Sequence, residues 1–88
     1  MSEAAYTVSV NRAAQKEIRD LDGNIRLRVL QSIRLLAAEP RPAGCRKLVG
    51  AVNRWRIRIG DYRVIYSIED EDRQVEIVAA RHRSKAYE

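Results

Sequence analysis

One cysteine, Cys45, and one histidine, His82, stand in the 88 residues. A single thiol closes no internal disulfide, and one cysteine with one histidine makes no metal site. Disulfide scaffolds and zinc modules are thereby excluded, and the thiol content fits a reducing cytoplasm. No run of about 18 apolar residues occurs, so no membrane-spanning helix is expected. "MSEAAYTVSV" has no basic segment ahead of an apolar run, so no secretory signal is expected. There is no glycine-rich phosphate loop, no nucleophilic serine motif and no carboxylate pair in a catalytic setting. Repeats, low-complexity tracts and linkers are also lacking, and residues 1–88 read as one domain. What the chain does have is positive charge. Lys and Arg number 17 against 12 Asp and Glu, a net charge of +5. An excess of this sign favours an acidic partner, either nucleic acid or an acidic protein.

Apolar and polar residues alternate from Tyr6 to Val10, which predicts a strand. Asn11 is a good N-cap for a short helix running to about Leu21. Gly23 supplies a break within "DLDGN". From Asn24 to about Ala38, apolar residues recur at Ile25, Val29, Ile33, Leu36 and Ala37, the spacing of an amphipathic helix. Pro40 and Pro42 stop it. Three strands follow, at about Val52–Ile59, Tyr62–Glu69 and Arg73–Ala80, with Gly60 and Asp61 as a two-residue hairpin turn and "EDED" as an acidic turn. The expected class is α+β: an N-terminal strand, a two-helix hairpin and a three-stranded antiparallel segment, giving a four-stranded sheet with helices on one face.

A two-residue turn fixes the register of the hairpin "NRWRIRIGDYRVIYSI". Ile59 then opposes Tyr62, Arg58 opposes Arg63, Ile57 opposes Val64, Arg56 opposes Ile65 and Trp55 opposes Tyr66. Because side chains alternate between faces, Trp55, Ile57, Ile59, Tyr62, Val64 and Tyr66 face the core. The other face collects Arg54, Arg56, Arg58 and Arg63. A wet sheet face normally carries polar residues, so alternation alone implies only a basic surface. Three features imply more. Over the hairpin the charges are of one sign apart from Asp61 in its turn, four of the 12 acids cluster in "EDED", and a second basic cluster, "RHRSKAY", follows the last strand. Like charges directly opposed destabilise a sheet, so Arg58 against Arg63 has a cost that a bound anion would relieve. Arginine suits phosphate because its planar fork donates paired hydrogen bonds.

The strand–helix–helix–three-strand order, "KLVG" before the hairpin, "WRIRIGDYRVIY" and the ending "RHRSKAY" together resemble the RelE/ParE superfamily of type II toxin–antitoxin toxins. The resemblance covers nearly the whole chain and is nearer to RelE-like messenger-RNA interferases, enzymes that cut mRNA in the ribosomal A site without metal or cofactor. It implies catalytic roles for Arg56 and Arg58 on the first hairpin strand, Arg63 after the turn, Arg81 at the end of the last strand and Tyr87 six residues on. His82 is a further candidate because histidine titrates near neutrality. Arg54, Lys47, Arg83 and Lys85 are expected to bind RNA. The chain departs from better-known members in carrying arginine, not lysine, at positions 56 and 58. The partners implied are a cognate antitoxin, the ribosome and mRNA, with no membrane and no metal. The alternatives are a ParE-like inhibitor of DNA gyrase without ribonuclease activity, and a non-catalytic RNA- or antitoxin-binding relic.

Overall fold

The computed structural model describes residues 5–85. Strand β1 (Thr7–Val10) leads into helix α1 (Arg12–Arg19) and helix α2 (Gly23–Leu35). The strands β2 (Arg46–Lys47), β3 (Trp55–Ile59), β4 (Tyr62–Glu69) and β5 (Gln74–His82) follow, and a 3₁₀ turn spans Arg83–Lys85. Asn11 caps α1 as expected: its side chain accepts the Ala14 N–H at 2.8 Å. Ala14 and Ile18, one turn apart, are the buried positions of α1. Arg26 on α2 donates to the carbonyl of Leu21 at 3.0 Å, covering an acceptor just past the end of α1 and closing the helical hairpin.

The sheet has five strands, not the expected four, in the order β1-β5-β4-β3-β2. The extra strand is β2, two residues long and lodged in the "PAGCRKLVG" loop, too short to leave a period in the sequence. The sheet is mixed because β1 pairs parallel to β5, Thr7 opposite Gln74 through Val10 opposite Ile77. Boundaries shift where the backbone turns left-handed. Asn53 at φ 55° delays β3 to Trp55, and Arg73 at φ 54° ends the turn before β5. Gly60 at φ 61° makes the β3–β4 turn, a position where a Cβ would be strained.

Residue for residue, the β3–β4 register is the expected one. Ile57, Ile59, Val64, Tyr66, Ile68, Val75, Ile77 and Ala80 meet Ala14, Ile18, Val29, Ile33 and Leu36 in one cluster beneath the helices. Tyr66 on the central strand is fully buried, and its hydroxyl donates to the Pro40 carbonyl at 2.8 Å. Burial pushes its ionisation far above the ordinary phenol range.

A polar staple crosses the sheet edge. Arg41 pairs in bidentate fashion with Asp70, at 3.1 and 3.0 Å, and Tyr6 donates to the same carboxylate at 2.7 Å. The Arg41 guanidinium also lies 4.8 Å from the Trp55 ring centroid. Hydrogen bonds from Arg41 and then Tyr6 hold Asp70 below the usual carboxylate range. A carboxylate whose pKa is lower folded than unfolded stabilises the fold above its unfolded value, about pH 4. That stabilisation is lost as pH falls through the folded value. Asp70→Asn is therefore expected to lower the melting temperature at neutral pH and to flatten its decline below about pH 4, in melts followed from pH 7 to 2.

Candidate phosphate-binding face

Register builds the site. Arg58 on β3 opposes Arg63 on β4, and Arg63 opposes Arg81 on β5. Three arginines thus form one row across three adjacent strands, on the face away from the helices. Residues opposed in this way have Cβ atoms about 5 Å apart, so the row carries three positive charges along roughly 10 Å. Arg56, two residues before Arg58, lies on the same face, opposite Ile65. Its Nη1 is buried and has no hydrogen-bond partner among the described residues. A buried guanidinium donor left in this state costs free energy.

A β-bulge places Arg81 in the row. Ile65 opposes Ala79 but Tyr66 opposes Ile77, so the register shifts and Val78 is the extra residue of β5. Strict alternation from Val75 and Ile77 would carry Ala79 and Arg81 to the helix side. The bulge inverts the phase, so that Ala80 enters the core and Arg81 joins Arg63.

Arg81 is also held from the side. Its Nε donates to Glu17 Oε2 at 2.7 Å, and Glu17 Oε1 accepts the Ala80 N–H at 2.9 Å. Glu17 left no signal in the sequence, being one charged residue among several on α1. Arg46 was missed for a different reason. It opposes Arg56 and so extends the basic face, whereas its neighbour Lys47 opposes Trp55 on the helix side. In "CRKL" only the register of β2 tells the two apart.

The structure therefore brings together Arg56, Arg58, Arg63 and Arg81, with Arg54 on the same face by alternation along the chain. Arg83 and Lys85 lie exposed in the 3₁₀ turn directly after β5. It does not bring Lys47 or His82 to this face. Lys47 Nζ sits 5.9 Å from the Trp55 ring centroid. His82 opposes Tyr62, with the two rings edge to face at 5.3 Å. The Nδ1 of His82 accepts the Ser84 N–H at 3.2 Å, which ties the ring to its own turn. Tyr87 lies outside the described residues. Chemically, the row sets guanidinium groups side by side, and such groups suit an anion with several oxygens.

The mixed sheet with two helices packed on one face is the fold that the chain shares with solved RelE toxins. Residues 8–87 match the family described as ParE toxin of type II toxin-antitoxin system, parDE. The chain belongs to this family, within the RelE/ParE superfamily, and is a type II toxin–antitoxin toxin. The solved archaeal RelE–RelB complex from Pyrococcus horikoshii OT3 contains a chain 31% identical, with a TM-score of 0.80, the match covering 93% of this chain and 99% of that one. The RelBE2 toxin–antitoxin complex from Mycobacterium tuberculosis gives 28% identity and a TM-score of 0.79 over 89% and 98%. The intact E. coli RelBE complex gives 26% and 0.77 over 89% and 96%. No curated protein matches the sequence.

Proposed function

We propose that this toxin is a ribosome-dependent endoribonuclease that cuts mRNA in the A site, without a metal, to inhibit translation. The observation that carries the reading is the Arg58–Arg63–Arg81 row with Arg56 beside it, which we read as an anion site, on a sheet like those of RelE. In such a reaction the ribose 2′-OH attacks the adjacent phosphate in line. The O2′–P bond forms as the P–O5′ bond breaks, leaving a 2′,3′-cyclic phosphate and a free 5′-OH. Arg56, Arg58, Arg63 and Arg81 stabilise the charge that builds on the phosphoryl oxygens. Each such donor contributes roughly 3–4 kcal/mol in a preorganised site. None of them takes the proton from the 2′-OH, because a guanidinium stays protonated. Tyr87 is our candidate for proton transfer or for stacking on a base. Arg54, Arg46, Arg83 and Lys85 extend the basic surface to neighbouring phosphates.

The relatives in the solved complexes are held by RelB antitoxins. A cognate antitoxin is proposed here too, an acidic or amphipathic segment that folds over the toxin and covers its charge. A second reading, DNA gyrase inhibition without RNA cleavage, is favoured by the match to the ParE family description. Adding the purified toxin to a translating extract and, separately, to a gyrase supercoiling reaction decides between them. The proposal expects cut mRNA with 5′-OH ends and unimpaired supercoiling. Blocked supercoiling with intact mRNA would establish the second reading instead.

A further inference from the structure

Glu17 is at odds with a site built to attract phosphate. Its carboxylate sits against the last arginine of the row, where its charge opposes an incoming anion. Its geometry explains why it is there. Strand β1 stops at Val10, opposite Ile77, so among the described residues the edge of β5 beyond Ile77 has no neighbouring strand. Helix α1 fills that edge, with Ala14 and Ile18 buried on either side of Glu17 in the sequence. From there one carboxylate oxygen takes the Ala80 N–H and the other takes Arg81 Nε, at 2.9 and 2.7 Å. With Nε engaged from the helix side, the guanidinium plane is fixed and its two Nη groups remain as a fork for another anion. A carboxylate can accept on both oxygens, whereas an amide presents one acceptor and one donor group. Glutamine at this position would face one of the two donors with its own N–H₂.

We propose that Glu17 is a positioning residue that aims the Arg81 fork at an RNA phosphate, gaining geometry while giving up one unit of favourable charge. The inference rests on reading the arginine row as an RNA phosphate site. Charge and geometry predict opposite signs. If only charge mattered, removing Glu17 would raise the net positive charge and tighten RNA binding.

The test is the affinity for a short single-stranded RNA with 2′-O-methyl riboses, which cannot be cleaved, measured by fluorescence anisotropy at low salt. It compares wild type, R81A, E17A, E17Q and E17Q/R81A, each with a melting curve to confirm folding. The expected result is that E17A and E17Q each bind about tenfold more weakly than wild type, the size of one charge-assisted hydrogen bond. In the R81A background, E17Q is expected to stop weakening binding and to tighten it slightly. Tighter or unchanged binding by E17Q in the wild-type background overturns the proposal. So does an equal loss with and without Arg81, which would leave Glu17 as a plain cap for the β5 edge. Equal binding by wild type and R81A overturns the RNA-site reading itself and the inference with it, a pattern distinct from the other two.

Discussion

Arg56→Ala and Arg58→Ala are each expected to slow mRNA cleavage by about a hundredfold or more without lowering the melting temperature. Most substitutions in a small domain lose stability, so a large loss of activity at constant or raised stability is diagnostic. The reasons differ between the two residues. Arg58 is exposed and opposes Arg63 across the hairpin, so its removal relieves a like-charge contact. Arg56 keeps a buried Nη1 without a partner among the described residues, so alanine removes a desolvated donor, not a satisfied one. On the proposed function, both arginines serve a ligand and not the fold. Arg54→Ala, on the same face but farther from the row, is expected to cost cleavage much less. Single-turnover cleavage paired with thermal melts checks all three.

Tyr66 is expected to behave in the opposite way. It is fully buried on the central strand, opposite Trp55 on β3 and Ile77 on β5. Tyr66→Ala removes an aromatic ring from the middle of the core, a loss of about 3–5 kcal/mol. For a domain of this size that is a fall of roughly 15–30 °C in melting temperature, enough to unfold a marginal fold at working temperatures. Tyr66→Phe keeps the ring and deletes only the bond to the Pro40 carbonyl, a loss of about 1–3 kcal/mol if the carbonyl is left dry. The difference between the two variants separates packing from the hydrogen bond that ties the α2–β2 loop to the sheet. Melts of both in the same buffer measure it, and a phenylalanine variant as unstable as the alanine one would contradict this division.

The hairpin was legible because its turn was. Gly60 and Asp61 fixed the pairing, and strict alternation from Trp55 to Ile59 then sorted every side chain to its face. The helices were legible for the same reason, with Asn11 capping one and Val29, Ile33 and Leu36 marking the buried stripe of the other. What could not be read depends on pairing between segments distant in the chain. The two residues of β2 carry no period, so Arg46 and Lys47 could not be told apart, and the RNA-binding expectation fell on Lys47, which opposes Trp55, and not on Arg46. The bulge at Val78 breaks the alternation on which such reading relies. Without it, counting from Ile77 would put Arg81 inside. Glu17 reaches Arg81 across 64 positions of sequence, a contact set by how α1 packs on the edge of β5. His82 was a candidate for its side-chain chemistry, yet it adjoins Arg81 on β5, and adjacent residues of a strand point to opposite faces.

The central claim is that the arginine face holds a scissile mRNA phosphate while the ribose attacks it. The direct measurement is cleavage, in a programmed ribosome, of an mRNA with a single 2′-deoxy nucleotide at the cut position of the A-site codon. Cleavage of the all-ribose message to a 2′,3′-cyclic phosphate and a 5′-OH, and none of the deoxy message despite undiminished toxin binding, is the predicted result. Continued cutting of the deoxy message at the same position would contradict it.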